Sequence, residues 1–402
     1  MSGIECNVVL ILIFRNSEAL PSFIFLYCRG RFFLVFSEKL RYFTSAREED
    51  GCFLSYCYKV TCREQTGRNI QRLMLKSSIV ITGATGYIGS QVVLGLLSRF
   101  SGEINCRVVA RESSDCSFLK GLPVEIVNAD ILDPLALNEA FRGADTVFHC
   151  AGLIAYTKSF RNALYDTNVL GTRNVVNASL HNKVRRLVMT SSIAAVGATE
   201  DGSPASESTT FQEWQRSNGY MEAKHLAELE GLRGLAEGLE VVLLNPGVVI
   251  GVDRENIASV SSSNKVLKLI YQGQLPLCPS GGTGFVDVRD VADAHIAAWK
   301  TGCSGERYVI VGHNLSFQEL FDRLGRSGGR GAGHTMMLPE ILGLLAGLGG
   351  ECWSLLLRRP SFISLESMRT STRHLAYSNT RSVQELSLRY RDLPETFKTI
   401  TA

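Results

Sequence analysis

The amino-acid sequence predicts an α/β chain built on a doubly wound parallel sheet with a smaller C-terminal lobe. Three observations predict it. From residue 77 onward, short β-branched runs alternate with longer stretches of helical apolar spacing, the pattern of successive βαβ units. Three glycines, Gly83, Gly86 and Gly89, stand between the first such run and the first helical stretch. Ser- and Gly-rich segments such as "ASVSSSN" and "PSGGTG" come late and suit loops. We expect residues 1–73 to be an atypical extension outside the fold, a sheet core mainly over 74–250, and a lobe mainly over 200–218, 250–283 and 312–402.

The elements follow in order. "SSIVITG" reads as the first strand and "YIGSQVVLGLLSRF" as the first helix. "CRVVAR" (106–111) and "PVEIVNAD" (123–130) are the next strands. "PLALNEAFRG" (134–143) is a helix with Pro in its first turn and Gly after its end. "ADTVFHCAG" (144–152) is a strand, 162–181 a long helix, and "VRRLVMTSS" (184–192) a fifth strand. No internal repeat or low-complexity tract interrupts this series.

The glycine pattern acquires meaning from its place. It follows a strand and opens a helix, as a dinucleotide site requires. Gly83 permits the tight turn, Gly86 lets the backbone approach a pyrophosphate, and Gly89 allows close helix packing. Thr85, Tyr87 and Ile88 lie within the same turn and helix start. The helix N-terminus offers free N–H groups and a positive dipole end to phosphate. An acid at the end of the second strand would favour NAD through the ribose hydroxyls. Arg111 stands there instead, and a guanidinium pairs a 2′-phosphate bidentately, so NADP is expected over NAD. Ser113 and Ser114 add donors, while Glu112 would serve a ribose if the register slipped by one.

The chemistry gathers in three places. "YMEAK" sets Tyr220 and Lys224 four apart, on one helix face, where an ammonium lowers a phenol's pKa. Ser191 and Ser192 end the fifth strand, at the sheet edge where ligands bind, and Ser192 is the better candidate to hold a substrate oxygen. Asn168 in "DTNVLGT" is placed to orient a water for proton relay to Lys224. The plain alternatives are a solvated helix face for Tyr220 and Lys224 and a packing role for Asn168.

With "TGATGYIG", "NADILD", "VFHCAG", "NVLGTRNVV", "TSSIAAVG", "YMEAK", "LLNPGVVIG" and "FVDVRDVADAHIAA" in this order, the chain from about Met74 resembles the extended short-chain dehydrogenase/reductase family. It is most similar to the dihydroflavonol 4-reductase-like and NAD-dependent epimerase/dehydratase branch. The resemblance implies a Rossmann-type fold with a substrate-binding lobe. It implies that Asp130 and Ile131 flank the adenine, that Ala151 and Gly152 run along the cofactor, and that Asn245, Pro246, Gly247 and Val248 form the loop beside the nicotinamide. Ser192, Tyr220 and Lys224 then form the catalytic set, with Tyr220 as acid/base and Lys224 also gripping the nicotinamide ribose. "SNTRSVQELSL" resembles the family's C-terminal helix, and a homodimer through helices 159–181 and 218–238 is the analogous assembly. Arg289 and Asp290 read as structural ion-pair partners, and His149 and His295 carry no assigned role.

Composition bounds the remaining classes. A net charge of +3 gives no case for nucleic acid. The eleven cysteines show no CxxC pair or zinc spacing, so reduced thiols, no metal and a cytoplasmic protein are expected. Residues 1–73 hold five of those cysteines, and Cys52, Cys57 and Cys62 repeat every five residues with no histidine nearby. Their apolar runs, "VVLILIF" and "RFFLVF", are too short to span a bilayer, and Glu5 precedes the first, unlike a signal peptide. Functional translation is expected from Met74, with an organelle-targeting or membrane-associating leader as the alternative. "LPEILGLLAGLGGECWSLLL" (338–357) is strongly apolar, but Glu340, Glu351 and several glycines interrupt it, so packing against the lobe rather than membrane contact is expected.

The expected activity is that of an NADP-dependent oxidoreductase moving a hydride between the cofactor and a ketone or aldehyde, or the corresponding alcohol, with NAD(H) as the other cofactor to test. The substrate is a small carbonyl or alcohol compound. A nucleotide-sugar epimerase or dehydratase with retained NAD is the first rival, weakened because "IAAVG" after Ser192 brings no extra acid or base. A non-catalytic cofactor-sensing protein is the second, and the Ser/Tyr/Lys set argues against it.

Overall fold

Strands such as "SSIVIT" and "EVVLLNP" carry apolar residues at consecutive positions, so both faces of their sheet need cover. The computed structural model supplies that cover. It describes residues 10–14, 23–28, 31–36, 76–199, 201–251, 263–275, 277–327, 335–359, 361 and 363–401. Cys52, Cys57, Cys62, Met74 and most of "ASVSSSN" lie outside the described residues.

The chain divides into two units, Met1–Leu75 and Lys76–Ala402. In the first, β1 (Leu10–Phe14), β2 (Phe23–Cys28) and β3 (Arg31–Phe36) form an antiparallel meander.

The second unit opens with β4 (Ser77–Thr82), α1 (Tyr87–Phe100), β5 (Ile104–Ala110), β6 (Val124–Asn128), α2 (Pro134–Ala140) and β7 (Thr146–His149). Asp133 starts α2 by accepting from the N–H groups of Leu135 and Ala136. Next come α3 (Arg161–Leu164), a π-helical stretch Tyr165–Leu170, α4 (Gly171–His181), β8 (Arg186–Thr190), α5 (Gly219–Ala236) and β9 (Glu240–Pro246). The remainder is β10 (Val248–Ile250), α6 (Ser263–Tyr271), β11 (Leu277–Cys278), β12 (Gly282–Asp287), α7 (Val288–Thr301), β13 (Arg307–Ile310), β14 (His313–Ser316) and α8 (Phe317–Ser327). It ends with β15 (Met336–Met337), α9 (Glu340–Leu357), α10 (Leu365–Ser371), α11 (Thr380–Glu385) and α12 (Leu393–Thr401).

Seven strands form one parallel sheet in the order β6-β5-β4-β7-β8-β9-β13. Ile79, Ile81, Val92, Leu96, Val291 and Trp299 fill the layer on the α1/α7 face. Val80, Val147, Val175, Leu187, Ala227 and Leu243 fill the opposite layer, under α2, α4 and α5. The order reverses between β4 and β7, and the crevice beyond their C-terminal ends is where a doubly wound sheet takes ligands.

Four expectations need correction. The helix expected over 162–181 is broken, because the π-helical stretch carries Asn168 between α3 and α4. The second strand ends at Ala110, leaving Arg111 outside it. The segment 245–248 is not a loop: Asn245 and Pro246 end β9 in the large sheet, and Val248 already belongs to β10, paired with Phe285 of β12. "SNTRSVQELSL" holds the short α11, while the last helix is α12.

The lobe centres on β10, β12 and β14, with β10 parallel and β14 antiparallel to β12. Helices α6, α8 and α12 enclose a core that includes Leu267, Phe285, Leu320, Leu324 and Phe397. Residues 250–283 are therefore not loop throughout. The ion-pair reading of Arg289 and Asp290 matches the contacts: Arg289 pairs with Asp287 and Glu395, and Asp290 with Arg391.

Candidate active site

The turn after β4 is built from backbone alone. Gly83 has φ +70°, and a Cβ there would lie 2.4 Å from the Ala151 nitrogen after β7. A Cβ on Gly89 would lie 2.2 Å from the Gly83 carbonyl oxygen. Gly89 thus lets α1 sit close against the residues that directly follow β4. Gly86 donates its N–H to that carbonyl at 2.9 Å and heads α1, an end that no side chain caps. A tight, backbone-lined turn at an uncapped helix N-terminus suits a pyrophosphate. Thr85 and Ile88 lie on this turn, but the Tyr87 phenol leaves it and donates to the Gly251 carbonyl. Burial raises the Tyr87 pKa.

Around this turn the other expected cofactor residues take separate places. Arg111 is exposed just beyond β5, and the Ser114 N–H donates to its carbonyl at 2.9 Å. Asp130 is engaged locally, accepting from the Leu132 N–H at 2.9 Å, while Ile131 packs toward Gly171. Ala151 and Gly152 run past the Gly83 turn. At Gly152 a Cβ would lie 3.1 Å from Asn168 Oδ1 and 3.4 Å from Lys224 Nζ, so a backbone-only passage borders both side chains.

Asn218 caps α5 by accepting from the N–H groups of Tyr220 and Met221. The helix then presents Tyr220 and Lys224 one turn apart, both buried. Ser192, half-buried just beyond β8, accepts the Ala194 N–H through Oγ at 3.1 Å and lies on the Tyr220 side of the site. Burial raises the Tyr220 pKa, and the Ser192 hydroxyl pulls it down. Tyr156 packs edge-to-face on Tyr220, ring centroids 5.6 Å apart.

Lys224 Nζ donates to the Thr190 carbonyl at 3.1 Å, its one hydrogen-bond partner among the described residues. Burial lowers its pKa to about 8, while Glu228 and Cys150 pull the other way. The Asn168 amide is anchored by one hydrogen bond at each end, which leaves a second lone pair on Oδ1 and a second N–H on Nδ2. Oδ1 accepts from the Leu153 N–H at 2.8 Å, and Nδ2 donates to the Leu153 carbonyl at 2.9 Å. It ties the passage after β7 beside Lys224.

Sequence reasoning missed Glu228. Fully buried, it accepts from Ser191 Oγ at 2.5 Å and from Asn245 Nδ2 at 2.6 Å, and pairs with Arg307 at 3.3 Å. Burial raises its pKa against Arg307, Ser191, Asn245 and Lys224, which lower it. Asn245 also donates to the Ser192 carbonyl at 2.8 Å. Tyr220, Lys224 and Glu228 recur every four residues, and that spacing was the available signal. Pro246 and Gly247 carry the chain from the large sheet to the small one, where a Gly247 Cβ would meet the Gly284 carbonyl at 2.5 Å.

The two unassigned histidines are structural. His149 bridges Thr82 Oγ1 and Thr172 Oγ1, and burial lowers its pKa to about 3. His295 contacts the Val291 carbonyl through Nδ1, so Nε2 accepts from Thr190 Oγ1 at 2.6 Å.

A backbone phosphate cradle beside a Ser/Tyr/Lys cluster at the sheet's switch point marks an NAD(P)-dependent oxidoreductase of the extended short-chain dehydrogenase/reductase type. The chain belongs to the NAD dependent epimerase/dehydratase family, whose profile matches residues 79–311. A Synechocystis protein named provisionally as a dihydroflavonol 4-reductase is 30% identical over 312 residues, covering 77% of this chain and 89% of its own. Cinnamoyl-CoA reductase 1 of Oryza sativa is 32% identical over 263 residues, covering 62% of this chain and 75% of its own. The crystal structure of gox2253 matches with a TM-score of 0.69 and 28% identity, over 81% of this chain and 97% of that one.

Proposed function

We propose that the protein is an NADP-dependent carbonyl reductase, acting reversibly on a ketone or aldehyde and its alcohol, with Tyr220 as the acid/base. One observation carries this reading: Tyr220 and Lys224 are buried one turn apart on α5, with Lys224 Nζ on the Thr190 carbonyl and Ser192 just beyond the same strand. The reductase names of the relatives in Synechocystis and Oryza sativa support it.

The residues divide the work. Ser192 and Tyr220 offer two hydroxyls to one substrate oxygen, which fixes the carbonyl. The raised Tyr220 pKa keeps the phenol protonated at neutral pH, so it stands ready to give its proton to that oxygen. When bound, the nicotinamide supplies or accepts the hydride at the carbonyl carbon. Lys224 provides the positive charge next to the phenol's side of the site and donors for a ribose. Ile193, Ala194 and Ala195 after Ser192 leave that wall without a further acid or base. Arg111, exposed just beyond the end of β5, is the residue to receive a 2′-phosphate.

Fluorescence titration with NADPH and NADH tests the reading. NADPH should bind at least about tenfold tighter, and Arg111→Ala should erase the difference. NAD that co-purifies and resists dialysis would instead favour an epimerase-like enzyme.

A further inference from the structure

Helix α9 inverts the usual pattern of a surface helix. Its buried positions are small, Gly343, Gly347 and Ser354, and it seats close on the start of α10: a Cβ on Gly347 would lie 2.9 Å from the Leu365 nitrogen. Most of its outward positions are large and apolar. Ile341, Leu345, Trp353 and Leu356 are 74%, 57%, 60% and 78% exposed. At about 100° per residue, the exposed positions sweep about 200° of the helix surface, and none of them between Ile341 and Leu357 is charged. The charged Glu351 is turned inward, accepting from the Lys158 N–H at 3.2 Å.

A surface helix ordinarily carries one apolar stripe, about 100° wide or more, and turns it to the core; α9 turns its apolar side outward, and a hydrocarbon surface wets a helix on every free side. The ends of α9 agree with a lipid partner. Arg358 and Arg359 follow the apolar run directly, both exposed, with Arg358 turning the chain back at φ 51°. Basic side chains next to an apolar helix complement an anionic bilayer surface, adding about fivefold in affinity each. The helix is long and apolar enough to cross a membrane by length and composition. Its Gly/Ser face is packed on the folded chain, however, so only its outer face is free to enter a bilayer and the helix does not span it.

The same helix is linked to the candidate site through intervening residues. Ser354 bonds Thr157, the residue after Tyr156, which packs on Tyr220. Glu366 of α10 accepts from the Gly219 N–H at 3.0 Å, one residue before Tyr220. We propose that α9 docks on an anionic lipid bilayer and that the substrate is an apolar alcohol or carbonyl compound taken from that bilayer. The substrate part rests on the carbonyl-reductase reading above; the docking part does not. The expected packing of this helix is met by its Gly/Ser face; the membrane contact is proposed for the opposite face.

The test uses the full chain with vesicles of phosphatidylcholine, with and without phosphatidylglycerol. Cosedimentation should favour the anionic vesicles, and emission should shift to the blue. Trp353→Phe should remove that shift while binding persists, because Trp299 is in the core and Trp214 lies under Arg373. The Leu345→Ser/Leu356→Ser double variant should weaken binding at least about tenfold, and Arg358→Ala/Arg359→Ala should remove the anionic preference. Activity on a water-soluble aldehyde should be unchanged in both. No cosedimentation, binding unaltered by either variant, or a lipid-free dimer that the serine variant dissolves would each overturn the docking. Loss of aldehyde reduction in the unmutated protein would sink the carbonyl-reductase reading alone.

Discussion

Ser191 and Glu228 share a buried hydrogen bond of 2.5 Å, and it commits Ser191 to the helix α5 interior while Ser192 lies on the Tyr220 side of the site. Two adjacent serines at one strand end thus receive different tasks. Glu228 touches none of the reacting atoms. It holds Ser191, Asn245 and Arg307 together and lends negative charge to Lys224.

Glu228→Ala should destabilise the fold by about 3–5 kcal/mol, because Arg307 is left with an uncompensated charge; thermal unfolding reads this. Glu228→Gln keeps the shape and removes the charge that raises the Lys224 pKa. Its alkaline rate limb should move to lower pH, an effect that a purely structural role would not produce.

Tyr220→Phe should lower kcat for carbonyl reduction by about a hundredfold or more, with cofactor affinity changed little. Steady-state kinetics alongside nucleotide titration separate the two effects.

The pH profile has a predicted direction. Tyr220, its pKa raised by burial, stays protonated through neutral pH. Lys224, lowered by burial to about 8, loses its charge near that pH. Reduction should therefore hold on the acid side and fall as pH rises through about 8. A rate that climbs through this range would count against Lys224 acting as a cation.

Gly89→Ala should abolish nucleotide binding and cost stability, since its Cβ would meet a backbone oxygen at 2.2 Å with no side chain to move aside. Gly121→Ala is the control: φ is +86° with open space around it, so only the left-handed cost of about 1–2 kcal/mol applies.

Acid should unfold the protein through its buried histidines. Burial lowers the His295 pKa to about 4 and the His149 pKa to about 3, below the unfolded value of 6.5. The unfolded chain therefore binds more protons below pH 6.5, and stability, fully present above it, is lost as pH falls toward 4. Melting temperatures across this range should fall, and His295→Asn should flatten the slope.

The alternation of strands and helices was readable because buried parallel strands write continuous apolar runs and their helices write a 3.6-residue period. Gly83 and Gly89 were readable because no other residue fits those backbones. What escaped was long-range or irregular. The π-helical stretch at Asn168 keeps an ordinary helical composition, so nothing in "YDTNVL" announces it. The path of Asn245 into Glu228, and of Glu366 to the head of α5, joins residues far apart in the chain, which no local pattern records.

That last bond has an evolutionary corollary. The head of the catalytic helix is held by Asn218 from its own strand-helix unit and by Glu366 from a segment 147 residues downstream. Chimeras that exchange the C-terminal segment between relatives will carry their new specificity only if the donor brings an acceptor to this position. Without that carboxylate the Gly219 N–H loses its partner from the C-terminal segment, and Asn218 alone caps this helix end.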